Sequence, residues 1–257
     1  MGQMLIAAVL DQPDFKLAAA LEIAGSPLLG RDAGEHGGRA TGIAIGADVA
    51  AALRQADVLI DFTRPAATVA HAAACAAAGV GAVIGTTGLG EGEEKGLIAA
   101  SKTIPLVYAP NMSVGVNVLL ELVGIAARRL GADYDVEIVE MHHRHKIDAP
   151  SGTALALGES VASSLGRNLE RDGVFARQGV TGERKSGSIG FASLRGGDVV
   201  GDHSVVFAGP GERVELSHRA SSRNTFAQGA LRAARFVAER RAARAPGVYG
   251  MRDVLGL

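Results

Sequence analysis

Asp57-Val58-Leu59-Ile60-Asp61-Phe62-Thr63-Arg64-Pro65 decides the fold. Its first six residues form a near-continuous apolar run, the pattern of a parallel strand buried on both faces. Pro65 then opens a helical stretch that runs through Ala78 and ends at Gly79. The same unit recurs downstream. Val80 to Ile84 reads as a strand stopping at Gly85-Thr86-Thr87-Gly88, Glu91 to about Lys102 as a helix, and Ile104 to Tyr108 as a strand ending at Pro110-Asn111. Strands that alternate with helices specify a parallel sheet, and open α/β sheets bind ligands in the loops beyond the carboxyl ends of their strands. The first region is therefore expected to be Rossmann-like.

Upstream, Met4, Leu5, Ala8 and Val9 give Met1 to Leu10 a helical period that starts without a cap. Phe15 to Leu21 reads as a short strand closing on Glu22, and residues 24 to 47 as an irregular connection. Glu22 follows Gly2 by twenty positions, the spacing at which a dinucleotide fold places its ribose-binding acid; an exposed strand-end glutamate is the alternative.

Downstream, Ser113 to Leu130 carries an apolar helical face through Val118, Leu119, Leu122 and Val123. Tyr134 to Glu140 alternates as a strand, and Ala154 to Leu165 reads as a helix. Between these last two lies a concentrated cationic stretch, with His142, His143, Arg144, His145 and Lys146 in five consecutive positions. Pro150 presets a turn, Ser151 can cap the helix, and Gly152 and Thr153 present amides at its N-terminus, where anions are favoured. Such a loop suits a carboxylate or phosphate. Ser188 to Leu194, Val199 to Ala208 and Arg213 to His218 read as strands with no helix between them, so this second region is expected to be α+β with a mixed or antiparallel sheet. Thr225 to Ala242 restores a helix with an arginine-rich outer face.

Composition narrows the function. At 257 residues two domains are expected, and a net charge of −1 argues against a nucleic-acid or membrane surface. The lone cysteine, Cys75, lies in the alanine-rich run from Ala66 to Ala78; it reads as a small buried helix residue and fits a reducing cytoplasm. No apolar run is long enough for a membrane span, and the N-terminus has no signal-peptide pattern. Two other readings of the cationic loop are a zinc site and a non-catalytic nucleotide sensor. Arg144 and Lys146 would repel a cation, so no metal is expected, and a sensor has no need of such a loop.

The run from Glu140 to Thr153 resembles the signature of 4-hydroxy-tetrahydrodipicolinate reductases (dihydrodipicolinate reductases). Asp61 to Pro65, Gly85 to Gly88 and Pro110 to Asn117 resemble that family too, and the similarity extends to Met251-Arg252-Asp253-Val254-Leu255. The resemblance implies reduction of a hydroxylated cyclic dicarboxylate in lysine and diaminopimelate biosynthesis, with NADH or NADPH giving hydride to C4 as water leaves. It implies His142 and Lys146 as proton donors and His143, Gly152 and Thr153 as substrate contacts, with Arg223 a further candidate. Cofactor contacts are implied at Met1, Glu22, Gly85, Thr86, Thr87, Ala109, Pro110, Asn111 and Met112. His145 is expected to have a structural part, while Thr153 as a simple helix-start residue and Arg64 as a surface charge are open alternatives. Ile23 stands where family members with a basic residue can hold the 2′-phosphate of NADPH, which leans the preference to NADH. The implied domains are 1–113 with 224–257 for the dinucleotide, and 114–223 for substrate binding and assembly of a homotetramer.

Met1-Gly2 matches only the end of the family's glycine-rich turn, so the resemblance leaves the first strand of the Rossmann-like domain without a counterpart. The expectation is a first sheet with a gap or displaced strands, low stability there, and weak or absent binding of nicotinamide cofactor by protein limited to these residues.

Overall fold

The structure, a computed structural model, describes residues 1–257. The chain divides into two compact units, Met1–Val114 with Asn224–Gly256, and Gly115–Arg223.

The first unit begins with α1 (Gly2–Leu10), β1 (Ala20–Leu21), β2 (Ile45–Gly46) and α2 (Val49–Leu53). The repeating part follows as β3 (Val58–Asp61), α3 (Pro65–Ala78), β4 (Gly81–Ile84), α4 (Glu91–Ala100) and β5 (Pro105–Tyr108). The second unit holds α5 (Val114–Leu130), β6 (Asp135–His142), α6 (Gly152–Ser164), α7 (Leu169–Asp172), β7 (Gly173–Val174), β8 (Ile189–Arg195), β9 (Gly201–Gly209) and β10 (Glu212–Ala220). The chain then re-enters the first unit through α8 (Asn224–Ala242), β11 (Gly247–Tyr249) and α9 (Met251–Leu255).

In the first unit β11, β5, β4 and β3 form one parallel sheet in that order. Alternation along β4 sends Val83 into a core with α1, α8 and α9, and Ala82 and Ile84 into a second core with α2, α3 and α4. Helices thus cover both faces, which is why these strands are apolar throughout. Two arginines of the outer face of α8 are tied down. Arg241 binds Asp57 and the carbonyl of Gly79, and Arg235 binds Asp14 and Gln12 while lying over the Phe15 ring.

The sheet is split where the sequence led us to expect a gap. β1 pairs only with β2, and β3 is an edge strand whose Val58, Leu59 and Ile60 are half-buried, whereas β4 is buried throughout. The strand expected over Phe15 to Leu21 shrinks to Ala20–Leu21. Phe15 and Leu17 pack individually against the core of α1 and α8, and only the end of the segment has a partner to pair with. That partner, β2, lies in what the sequence presents as an irregular connection.

The second unit has a mixed five-stranded sheet ordered β10-β9-β6-β8-β7, as its uninterrupted strands predict. β6 runs parallel to β8 and antiparallel to β9. Val136 and Ile138 of β6 face α5 and α6 in a single core with Phe191 and Phe207. Alternation thus points both sets of strand residues at helices in the first unit and one set in the second.

Candidate functional site

In the second unit the register of the sheet places two polar rungs at the end of β6, on the face that carries Val136 and Ile138. One rung sets Arg195 of β8 beside His142, and the next sets Ser193, Glu140, His203 and His218 side by side across β8, β6, β9 and β10. Glu140 is only 1% exposed, and such a charge must be paired to be tolerated. Arg195 donates to both of its oxygens at 2.9 Å, His142 Nδ1 lies 2.6 Å from Oε2, and the Ser151 amide donates to Oε1 at 3.3 Å. Burial alone would raise the Glu140 carboxyl, but the hydrogen bonds from Arg195, His142 and Ser193 outweigh it and hold the group below its ordinary range.

His142 is buried, and desolvation lowers its pKa although Glu140 pulls it upward. His203 lies 5.1 Å away, ring to ring, with Nε2 at 3.0 Å from Ser151 Oγ. Its burial and the nearby His142 push it down to about 4, so it is neutral in ordinary conditions. Ser151 Oγ also accepts the Ala154 amide and caps α6, as the sequence suggests. The amides of Gly152 and Thr153 precede that bond in the first turn, and no heavy atom lies within 4 Å of where a Gly152 Cβ would stand. Gly152 is exposed and Thr153 half-buried at this helix start.

Lys146 Nζ donates to both oxygens of Asp148 at 2.8 Å, and its side chain is 20% exposed. His143 has a buried Nδ1 without a hydrogen-bond partner, and its ring lies 6.2 Å from that of His145. The three neighbouring imidazoles do not converge: His142 turns inward to Glu140 and the other two stand apart. Arg223 is exposed and forms no ion pair within the chain. Glu140, Arg195 and His203 are the residues that sequence reading gave no role. Glu140 sits two positions before His142, on the same face of a strand, but Arg195 and His203 come from strands whose register no local pattern reveals.

In the first unit, Gly85 to Thr87 and Ala109 to Met112 lie side by side beyond the carboxyl ends of the paired strands β4 and β5, where the Ala109 amide donates to Ile84 O at 3.1 Å. Thr86 is buried, its hydroxyl accepting from the Thr63 amide and from Thr68 Oγ1, while Thr87 is exposed. Asp61, at the end of β3, accepts from the Thr63 amide and pairs with His71 Nδ1 at 2.9 Å. Asn111 Oδ1 accepts the Ser113 amide, and Met112 is 1% exposed within the core. Glu22 follows β1 with one oxygen on its neighbour's amide. Met1 is exposed and precedes α1, whose first turn has no capping side chain. A half-buried acid, an uncapped helix start and parallel strand ends suit the ribose and pyrophosphate of a dinucleotide.

Comparison with known proteins places both units. The family pattern "Dihydrodipicolinate reductase, N-terminus" matches residues 1–112, and "Dihydrodipicolinate reductase, C-terminus" matches residues 115–255. The chain is similar to the 4-hydroxy-tetrahydrodipicolinate reductase of Nitrosospira multiformis, 57% identical over 257 residues, covering 100% of this chain and 94% of that protein. That of Thiobacillus denitrificans is 56% identical over 257 residues, covering 100% and 95%. A solved structure, dipicolinate-bound dihydrodipicolinate reductase from Paenisporosarcina sp. TG-14, shares the fold with a TM-score of 0.74 and 23% identity, over 97% of this chain and 92% of that one.

Proposed function

The chain belongs to the dihydrodipicolinate reductase family, and on that premise we propose that its first unit holds the cofactor while its second holds the substrate and delivers the proton. The enzyme is an NAD(P)H-dependent oxidoreductase that converts 4-hydroxy-tetrahydrodipicolinate to tetrahydrodipicolinate in lysine and diaminopimelate biosynthesis. One hydride and one proton are consumed and one water leaves. The bound nicotinamide supplies the hydride to C4; Glu22, Gly85 to Thr87, Ala109 to Met112 and the start of α1 at Met1 are the residues that would hold it.

The observation that carries the reading is the juxtaposition at the end of β6, where a histidine committed through Nδ1 to a buried carboxylate lies near the capped N-terminus of α6. The substrate is a cyclic dicarboxylate, and one carboxylate fits the Gly152 and Thr153 amides, where the helix dipole favours negative charge. His143 adds a donor there. Lys146 exchanges Asp148 for the incoming anion, and together with His142 it provides the proton. Ile23 removes one contact to the 2′-phosphate of NADPH, which leans the preference to NADH while leaving either cofactor usable.

His142→Ala and Lys146→Ala should each lower kcat by at least ~10-fold, since a general acid contributes ~10²- to 10⁴-fold. Both should leave NADH affinity unchanged in calorimetry. Normal turnover in both variants would remove these residues from the mechanism.

A homotetramer assembled through the second sheet, in the cytoplasm, completes the reading. The helices of that unit lie against one face of the sheet; the opposite face carries Val139, Met141 and a 47%-exposed Leu194. The buried free thiol of Cys75 suits a reducing compartment. Light scattering should give the mass of four chains, and a monomer would refute that assembly.

A further inference from the structure

We propose that Glu140, clamped by Arg195, is the positioning residue for His142, holding the Nδ1 proton so that only Nε2 can deliver a proton to substrate. This deepens, and rests on, the reading of His142 as a proton donor. Three observations carry it. First, the Arg195 guanidinium spans both Glu140 oxygens in a two-pronged pair, which fixes the carboxylate plane as well as its charge. Second, an ionised carboxylate can only accept, so the 2.6 Å contact with His142 requires Nδ1 to be the donor, and that sets the tautomer of the ring. Third, the residue packed against the opposite edge of the ring has no side chain to cover it. Residue 201, which neighbours His142 across β6 and β9, is glycine, and a Cβ there would stand 3.0 Å from His142 Nε2. The ring is thus held on one side by charge and on the other faces a residue with no side chain to cover Nε2.

Arg195 does a second job in the same place. Its Nη2 also donates to the carbonyl of Asp148, and the Ser151 amide donates to Glu140, so one buried ion pair anchors both ends of the Asp148–Ser151 turn that precedes α6. A purely structural anchor would need that much and no more. It would not require Glu140 to control how His142 titrates, and the two roles separate by experiment.

The charged and titratable groups around the His142 ring are Glu140 on β6, Arg195 on β8, His203 on β9 with His218 one strand beyond, and Lys146 in the loop. Glu140 favours the imidazolium, whereas Arg195 and Lys146 oppose it. Glu140→Gln should therefore move the His142 titration to lower pH, and Arg195→Gln should move it to higher pH. Both can be followed by ¹⁵N NMR of histidine-labelled enzyme, which reports tautomer and titration together, beside the pH profile of kcat/KM. In the wild type His142 should be the imidazolium below its titration, with the transferable proton on Nε2, and the Nδ1–H tautomer above it. In Glu140→Gln the fall of kcat/KM with rising pH should shift the same way as the NMR titration, with kcat at neutral pH reduced at least ~10-fold and the KM for NADH unchanged. Should the buried glutamine prevent folding, Arg195→Gln alone still decides, because its shift has the opposite sign. Titrations that stay put in the folded variants would overturn the positioning role. Titrations that move while the rate profile does not would overturn the acid role of His142 and, with it, the catalytic meaning of the pair.

Discussion

His203 shows what one buried side chain costs when the solvent turns acid. It is 4% exposed, its Nδ1 has no partner, and its folded pKa lies near 4 against an ordinary 6.5. Between those values the unfolded chain takes up a proton that the folded chain refuses, so stability is complete above pH 6.5 and is lost as pH falls toward 4. The full difference is about 3 kcal/mol. Asp61 and Glu140, carboxylates held below their ordinary range, add to the loss in the same direction as they become protonated. Urea titrations of wild type and His203→Gln should diverge at neutral pH and converge toward pH 4, the variant having the flatter slope. Parallel slopes would remove His203 as a source of acid sensitivity. Cys75 is the opposite case and was legible in advance: a small residue in an alanine run, fully buried in α3, its thiol pushed up to about 12 by desolvation.

At the level of elements, α8 closes the first unit by fitting against its neighbours with almost no clearance. A Cβ on Gly229 would stand 1.7 Å from the Met112 carbonyl oxygen, a backbone atom that cannot swing aside. Gly229→Ala should destabilise the first unit by about 1–3 kcal/mol or more, as overpacking does, and should weaken NADH binding if the segment Ala109–Met112 holds cofactor. A thermal melt indistinguishable from wild type would show that α8 has slack this packing denies. The helices and buried strands of this unit were readable because burial on both faces writes an apolar run directly into sequence, as in Gly81–Ile84 and Pro105–Tyr108. Phe15 to Leu21 misled for the same reason: apolar content there reflects two anchoring side chains rather than a ladder. The cationic loop and its capped helix were equally plain, because His142 to Lys146 and Ser151 to Thr153 act through local chemistry. What the sequence could not reveal is the pairing of Arg195 with His142 and of His203 with Glu140, since register between strands over fifty residues apart leaves no local trace.

For the molecule as a whole, the split sheet of the first unit sets a gradient of order. β1 and β2 are two residues each, they pair only with one another, and an isolated two-stranded pair has little independent stability. Backbone bonds from Glu22 to Gly46, from Gly30 to Ile45, from Ile45 to Arg31 and from Ala33 to Ile43 join its two ends, the other backbone bonds there close short local turns, and most of the residues around them are exposed or half-buried. Val83 and Val107, by contrast, are fully buried in adjoining parallel strands with helices across them. Local opening should therefore free the amides of residues 20–46 at far lower cost than those of β4 and β5. In native-state hydrogen exchange the first group should exchange about 100-fold faster or more, since opening energies within one protein run from near zero to the global value. The same experiment addresses Glu22. If its carboxylate takes the ribose hydroxyls, NADH must order the end of β1, and exchange around residues 20–24 should slow on adding cofactor while β8 and β9 stay unchanged. Equal protection across both regions without cofactor would mean that the β1–β2 pair is supported by packing stronger than its burial indicates, and an NADH response that spares residues 20–24 would move the ribose contact away from Glu22.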